Sequence, residues 1–204
     1  MVKPPKKTHT NDCKQANEDH NIYTFDMRNM ARAINIGKDH VAAVLDIDYS
    51  PTGQEIVTGS YDRTIRIFGS RDGRSREVYH TNRMQKIFCV KFSMDSKFVL
   101  SGSDDGNIRL WKAVASDKLG HLTVREKNSR EYANALKERY KHMPEIHRID
   151  KQRKVPTAIS SAGKKKRSML QSVVRKEENE RKHSAPGSKP YKAERNKHVV
   201  TVEK

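Results

Sequence analysis

The sequence predicts an all-β fold of propeller blades, incomplete at about two and a fraction blades, followed by a basic α-helical extension. Three observations carry this. The stretch SYDRTIRIF, Ser60 to Phe68, returns 43 residues later as SDDGNIRLW, Ser103 to Trp111, and one period earlier stands NEDHNIYTF, Asn17 to Phe25. A period in the range of about 40–45 residues is that of a four-stranded propeller blade. The third observation is charge. The formal net charge is +17, of which residues 1–111 supply +3 and residues 112–204 supply +14, and alternating strand patterns stop at Trp111.

Within a repeat the elements follow from local pattern. VLDIDYS, Val44 to Ser50, alternates, with Leu45, Ile47 and Tyr49 expected on one face, and Pro51 to Gly53 is a turn. EIVTGS, Glu55 to Ser60, is a short buried strand. Asp62 opens a turn into TIRIF, where Ile65 and Ile67 alternate with Arg66. REVYH, Arg76 to His80, is the fourth strand, and FCVKFS, KFVLSGS and NIRLW repeat the unit. The earliest copy is expected to keep only its last strand, because counting back from Leu45, Ile47 and Tyr49 reaches Val2, Pro4 and Lys6. Two and a fraction blades do not close a ring, since propellers take about 4–8 blades, and open edges invite pairing. The chain therefore reads as a C-terminal piece, a truncated gene product, or one half of something completed by another chain.

After Trp111 the period becomes helical. TVRE, Thr123 to Glu126, is a capping box opening a helix to about Lys141, with Tyr132, Leu136, Tyr140 and Met143 as its apolar stripe and Glu126 to Arg130 as an i,i+4 pair. The stripe is expected to pack against a blade or a partner. Pro144 breaks the helix, EIHRI starts a short second one, and Pro156 and Gly163 punctuate the next stretch. Lys164 to His183 is a long charged helix, Ser184 to Pro190 a flexible turn, and NKHVVTVEK a short extended tail. A basic helix with so little apolar surface suits an anionic partner, above all RNA, on which it orders. Lys164, Lys165, Lys166, Arg167, Arg175, Lys176, Arg181 and Lys182 are the candidate phosphate contacts, which fix position without reading sequence. The run in GKKKRS is a candidate nuclear import signal.

Enzyme chemistry finds no footing. GKKKRS lacks the second glycine and the spacing of a phosphate-binding loop. The nine histidines are scattered without metal-ligand spacing, so no cofactor, metal or small-molecule substrate is expected. Asp104 and Asp105 are neighbours on an extended turn, where carboxylates diverge. Two cysteines without CxxC spacing, no apolar run of about 18 residues, and no apolar leader in MVKPPKKTHT point to a soluble intracellular protein with no membrane partner.

The repeat resembles the WD-repeat family. There a histidine, a serine or threonine, a turn aspartate and a tryptophan brace each blade through hydrogen bonds. By this resemblance His40, Ser60 and Asp62 brace one blade, with Phe68 in the tryptophan's place; Ser103, Asp105 and Trp111 brace the next, with Arg83 in the histidine's place. These roles are structural, and no residue is assigned as catalytic.

More specifically, SREVYHTNRMQ, GSDDGNIRLWKA, KLGHLTVREK and NERKHSAPGS together resemble the C-terminal region of the SOF family of WD-repeat proteins, over about Ala16 to Lys204. The division implied is 1–15 unmatched and disordered, 16–122 a partial propeller, and 123–204 the basic helical extension. The family implies a nuclear and nucleolar scaffold of the small-subunit processome. Its partners are pre-ribosomal RNA, the box C/D small nucleolar ribonucleoprotein and processome proteins, and its work is pre-rRNA processing and small-subunit rRNA maturation. Some members are also described as substrate receptors of cullin–RING ubiquitin ligases, docking on the ligase's propeller adaptor through a blade-end motif. FDMR is similar to it, making Phe25, Asp26 and Arg28 candidate contacts, although phenylalanine stands first. The remaining alternative is a truncated product without independent function.

Overall fold

The structure, a computed structural model, describes residues 12–150, 152–153 and 155–198. Three antiparallel sheets follow one another. The first holds β1 (Asp12–Ala16), β2 (Ile22–Asp26) and β3 (Asn29–Gly37). The second holds β4 (Val44–Tyr49), β5 (Glu55–Ser60), β6 (Ile65–Gly69) and β7 (Ser75–Tyr79), and the third β8 (Ile87–Phe92), β9 (Phe98–Ser103) and β10 (Ile108–Lys112). We call these blades 1, 2 and 3. The helices are α1 (Val124–Arg139), α2 (Pro144–Asp150), α3 (Thr157–Lys182) and α4 (Glu194–Lys197). The chain divides into two compact units, Met1–Ala113 with Val155–Lys204, and Val114–Lys154.

The 43-residue period reaches the backbone. His20, Arg63 and Gly106 occupy successive copies of one turn, and all three have left-handed φ, 72°, 63° and 74°. Gly53 and Ser96, again one period apart, share φ of 67° and 57°. Only one of each set needs to be glycine, so turn geometry is set by the strands rather than by local preference. The inner strands also repeat a bulge. Between Val44 and Asp46 the register shifts at Leu45, and between Ile87 and Cys89 it shifts at Phe88. The extra residue turns outward. This corrects the expected common face for Leu45, which is exposed while Val44 enters the core; Ile47 and Tyr49 keep it, both towards blade 1, where Ile47 packs on the Ile22 cluster and the Tyr49 hydroxyl donates to the Asp12 carbonyl.

Blade 1 is larger than its sequence suggests. It has three strands, not one, and Asp12 to Gln15, expected within a disordered start, form with Ala16 a strand that pairs with β2 from Asp12↔Asp26 to Ala16↔Ile22. The β1 sequence DCKQA has little apolar content, so neither the repeat nor hydropathy reveals it; pairing supplies the stability. Residues 1–11, with the Val2, Pro4 and Lys6 comparison, lie outside the described residues.

The core is the seam between blades. Val57, Ile65 and Ile67 of blade 2 are fully buried in one cluster with Met84, Ile87, Val90, Phe92 and Val99. Ile22 of blade 1 packs with Val44, Ile56 and Phe68. Each such side chain removed from water contributes about 1.5–3 kcal/mol. The approach is close enough at Gly59 that a Cβ there would lie 2.7 Å from Ile87 Cγ2, so a larger residue forces the Ile87 side chain to shift. Carboxylates reinforce the seam: Asp46 Oδ2 accepts the Val90 N–H and Asp48 Oδ2 the Phe92 N–H, each at 2.8 Å.

In the 114–154 unit, Thr123 caps α1 and its Oγ1 accepts the Glu126 N–H, completing the expected box. Pro144 begins α2 rather than merely ending α1, because a proline at the first helical position loses no hydrogen bond. Glu126 pairs with Lys118 and Arg130 donates to the Ser116 carbonyl, in place of the expected Glu126–Arg130 pairing. Of the apolar stripe, Leu136 is half-buried and Tyr132, Tyr140 and Met143 are exposed.

Exchanging the two residues of the shared turn tests the repeat directly. Gly106→Ala is expected to cost about 1 kcal/mol and Arg63→Gly to raise stability by a similar amount, because only glycine adopts this φ without strain. Urea midpoints of the two variants check it.

Candidate functional site

The residues of interest meet on blade 2 and on the helix laid against it. In blade 2 the brace centres on His40, which is wholly buried. Its Nδ1 lies 2.9 Å from Asp62 Oδ2 and its Nε2 2.8 Å from Thr58 Oγ1. Asp62 Oδ1 accepts the Thr64 N–H at 2.9 Å and the Thr64 hydroxyl at 2.5 Å. The serine or threonine of the brace is thus Thr58, not Ser60. Ser60 donates to the Ala42 and Ala43 carbonyls and accepts the Asp62 N–H, which holds the strand end and the turn. The same shift of two residues recurs in blade 3. Trp111 Nε1 donates to Ser101 Oγ at 2.9 Å, and Ser103 turns to Asp105. Residues i and i+2 of a strand share a face, so sequence parity does not separate them.

Among the described residues, blade 3 has no buried histidine beside Asp105. Arg83 is exposed, and Arg109, one period after Arg66, grips Asp105 and donates to Ser103 Oγ at 2.7 Å. That grip, with the Ser103 bond, holds the Asp105 carboxyl far below the usual range. In blade 2, full burial pushes the His40 pKa down, and the attraction of Asp62 does not reverse it. A neutral imidazole therefore donates from Nδ1 to Asp62 and accepts from Thr58. Burial would raise Asp62, but the charge and hydrogen bond of His40 and the Thr64 bond outweigh it, and its pKa lies well below 3.8. Every acceptor here is filled, so the site is structural rather than poised for proton transfer.

The helix α3 joins this site. Lys166 Nζ donates to the His40 carbonyl at 3.1 Å, and a Cβ at Gly163 would stand 3.7 Å from Val41 Cγ1. Gly163, expected as a break, is inside α3, which runs from Thr157 after Pro156. Burial lowers the Lys166 pKa, while Asp19, Asp39 and Asp62 oppose that. Lys166, one of the candidate phosphate contacts, thus has its amine on blade 2.

The other basic residues divide by face. Lys164, Lys165, Arg167, Arg175, Lys176 and Lys182 are exposed, and Arg181 lies over the Tyr191 ring at 4.9 Å. Lys164, Arg175 and Lys182 stand 11 and 18 residues apart in α3, whole numbers of helical turns, and so share one line about 27 Å long. Two of the helix's acids are taken up elsewhere: Glu177 pairs with Lys197 and Glu180 with Lys189. Asn196 and Lys197, expected in an extended tail, belong to α4 or its last turn, and residues 199–204 lie outside the described residues.

At the end of β2, Phe25 is buried, Asp26 Oδ1 accepts the Arg28 N–H at 2.9 Å, and Arg28 is exposed. Asp26 thus fixes the turn that presents Arg28. Among the described residues no cluster of three His, Cys, Asp or Glu side chains could hold a metal, and no helix is long and apolar enough to cross a membrane.

Residues 113–199 match the Sof1-like domain, and residues 33–69 and 75–112 match the WD domain, G-beta repeat. Protein SOF1 of Saccharomyces cerevisiae is 55% identical over 190 residues, 93% of this chain and 38% of that protein. DDB1- and CUL4-associated factor 13 of Danio rerio is 52% identical over 187 residues, covering 92% of this chain and 42% of that protein. The Homo sapiens protein of that name is 54% identical over 171 residues, 84% and 38%. The chain thus spans about two fifths of the length of the curated relatives it matches.

The buried pair sets the acid response. The neutral His40 of the native state has a pKa below 6.5, so its share of stability is complete above pH 6.5 and lost as pH falls below it. Asp62, also lowered, contributes above its unfolded value of 3.8 and loses that at still lower pH. Urea titrations across pH 4–7.5 are expected to show stability falling from about pH 6.5, and His40→Gln to remove that upper phase. Asp62→Ala leaves the Nδ1–H of the neutral imidazole without its acceptor and is expected to cost about 1–3 kcal/mol.

Proposed function

We propose that this chain, which belongs to the SOF family of WD-repeat proteins as a C-terminal part of the family protein, is a non-catalytic, RNA-associated scaffold of ribosome assembly. In this reading it acts in the nucleolar small-subunit processome, in pre-rRNA processing and small-subunit rRNA maturation, with pre-ribosomal RNA, the box C/D small nucleolar ribonucleoprotein and processome proteins as partners. The observation that carries the reading is α3. Blade 2 holds the helix at Lys166, and Lys164, Arg175 and Lys182 line an exposed edge. A cationic line on a braced platform fixes a phosphate backbone in place without choosing a base sequence. The satisfied brace supports a scaffold rather than a reaction centre.

The relatives named DDB1- and CUL4-associated factor 13 support a second reading, a substrate receptor of a cullin–RING ligase. Its candidate contact is the Asp26-fixed turn carrying Arg28.

Two outcomes separate these. Replacing Lys164, Arg175 and Lys182 together by Gln is expected to flatten the dependence of log affinity on log salt by about 0.7 for each single-strand phosphate no longer neutralised, and to shift the tagged chain from large pre-ribosomal particles to small complexes on a gradient. An unreplaced chain found only in small complexes contradicts the scaffold reading. For the ligase reading, Arg28→Ala is expected to lose capture of the adaptor; full capture by that variant removes the motif's role.

A further inference from the structure

The bulges on the inner strands bring apolar side chains out of the core. The register shift in β4 turns Leu45 outward, and the one in β8 turns Phe88 outward 43 residues later. Leu45 is 38% and Phe88 47% exposed, while Val44 and Ile87 beside them are buried. Blade 2 has a blade on either side, so Leu45 is open because of the bulge and not because a neighbour is missing. Tyr61, on the turn between β5 and β6 of the same flanked blade, is 40% exposed.

Tyr61 and Phe88 meet across the seam. Their ring centroids are 6.1 Å apart and their planes stand at 82°. A perpendicular pair uses the edge of one ring and one face of the other, so each ring keeps a flat face that its mate does not cover. Lys86 Nζ lies 4.9 Å from the centroid of the Tyr61 ring, which gives that ring a cation. Phe88 is then the ring with a face to offer. Both residues are held in place: the Tyr61 N–H donates to the Ala43 carbonyl at 3.0 Å, and Phe88 follows the fully buried Ile87. Single exposed apolar residues are ordinary. A fixed aromatic pair with an ammonium stacked on it is a preorganised surface, which lowers the ordering cost of binding.

We propose that Phe88, with Tyr61 and Lys86, is a stacking site for a base of single-stranded RNA. The inference rests on the RNA-associated reading of α3 and adds a base contact to its phosphate contacts. Charge and continuity favour this occupant. Lys86 and Arg63, the latter on the same turn as Tyr61, are exposed. The basic helix shares their anchor: Tyr61 precedes Asp62, the Asp62 carboxylate holds His40, and the His40 carbonyl receives Lys166. Asp104, whose N–H donates to the Lys86 carbonyl at 2.9 Å, offsets part of the local charge. Ring stacking therefore supplies most of the binding at this point. Every base has a π-face, so such a site takes a base without choosing its sequence.

Binding of a single-stranded oligouridylate of about ten nucleotides, carrying a 2-aminopurine whose fluorescence falls on stacking, tests this with the full chain. The unaltered chain is expected to bind it and quench the fluorescence. Phe88→Leu keeps apolar bulk but has no π-face. It is expected to weaken binding at least about fivefold, the effect of about 1 kcal/mol, to lose the quenching, and to keep the salt dependence set by α3. Phe88→Trp is expected to retain both affinity and quenching, which shows that the bulge tolerates replacement. A Phe88→Leu chain that binds and quenches like the unaltered one overturns the stacking site, leaves the phosphate reading of α3 standing, and hands this surface to a protein partner. An unaltered chain that does not bind the oligouridylate overturns both.

Discussion

The structure depends on one buried histidine. His40 sits wholly buried on the connection between blades 1 and 2, and each polar atom of its ring has a protein partner. Nδ1 ties the connection to the Asp62 turn and Nε2 ties it to β5. Its backbone carbonyl receives Lys166 from α3. One residue therefore couples the register of blade 2, the entry of the chain from blade 1 and the seat of a helix more than a hundred residues away. Buried polar groups left half-satisfied are costly, so the three attachments stand or fall together. Blade 3, with Arg83 at the histidine's place, uses the shorter-range Asp105–Arg109 pair.

The division of labour has the same origin. Interblade burial of Val57, Ile65, Ile67, Ile87 and Val90 gives a rigid stack, and α3 places a line of cations on it. The apolar residues are spent on blade seams, and α3 has no buried residue of its own. A helix that barely packs yet is pinned at one lysine is positioned rather than folded into a core. The line of charge on it gains direction from the blade, which a free basic tail would lack.

Much of this was legible from residues. The 43-residue period located β4 to β10, and the capping box placed the start of α1. What escaped had physical reasons. β1 is held by pairing and its five residues lack apolar alternation. Thr58 and Ser60, like Ser101 and Ser103, offer hydroxyls on one strand face, and only the third dimension selects between them. Gly163 costs α3 about 1 kcal/mol relative to alanine, too little to break a helix pinned to a blade three residues later. Lys166 is one of four consecutive basic residues, and helical phase alone does not say which of them faces protein. Asp46 and Asp48 read as the polar half of an alternating strand, yet they hold the backbone of the neighbouring blade.

The account's central claim is that α3 is oriented by blade 2, with Lys166 turned to protein and Lys164, Arg175 and Lys182 turned to phosphate. Crosslinking of the tagged chain to RNA in cells, with the attached peptides mapped by mass spectrometry, tests it most directly. The account predicts pre-ribosomal and small nucleolar RNA attached at the outward line and none at Lys166. Equal attachment at Lys164, Lys165, Lys166 and Arg167 would mean a helix free of the blade, and recovery without RNA would contradict the scaffold itself.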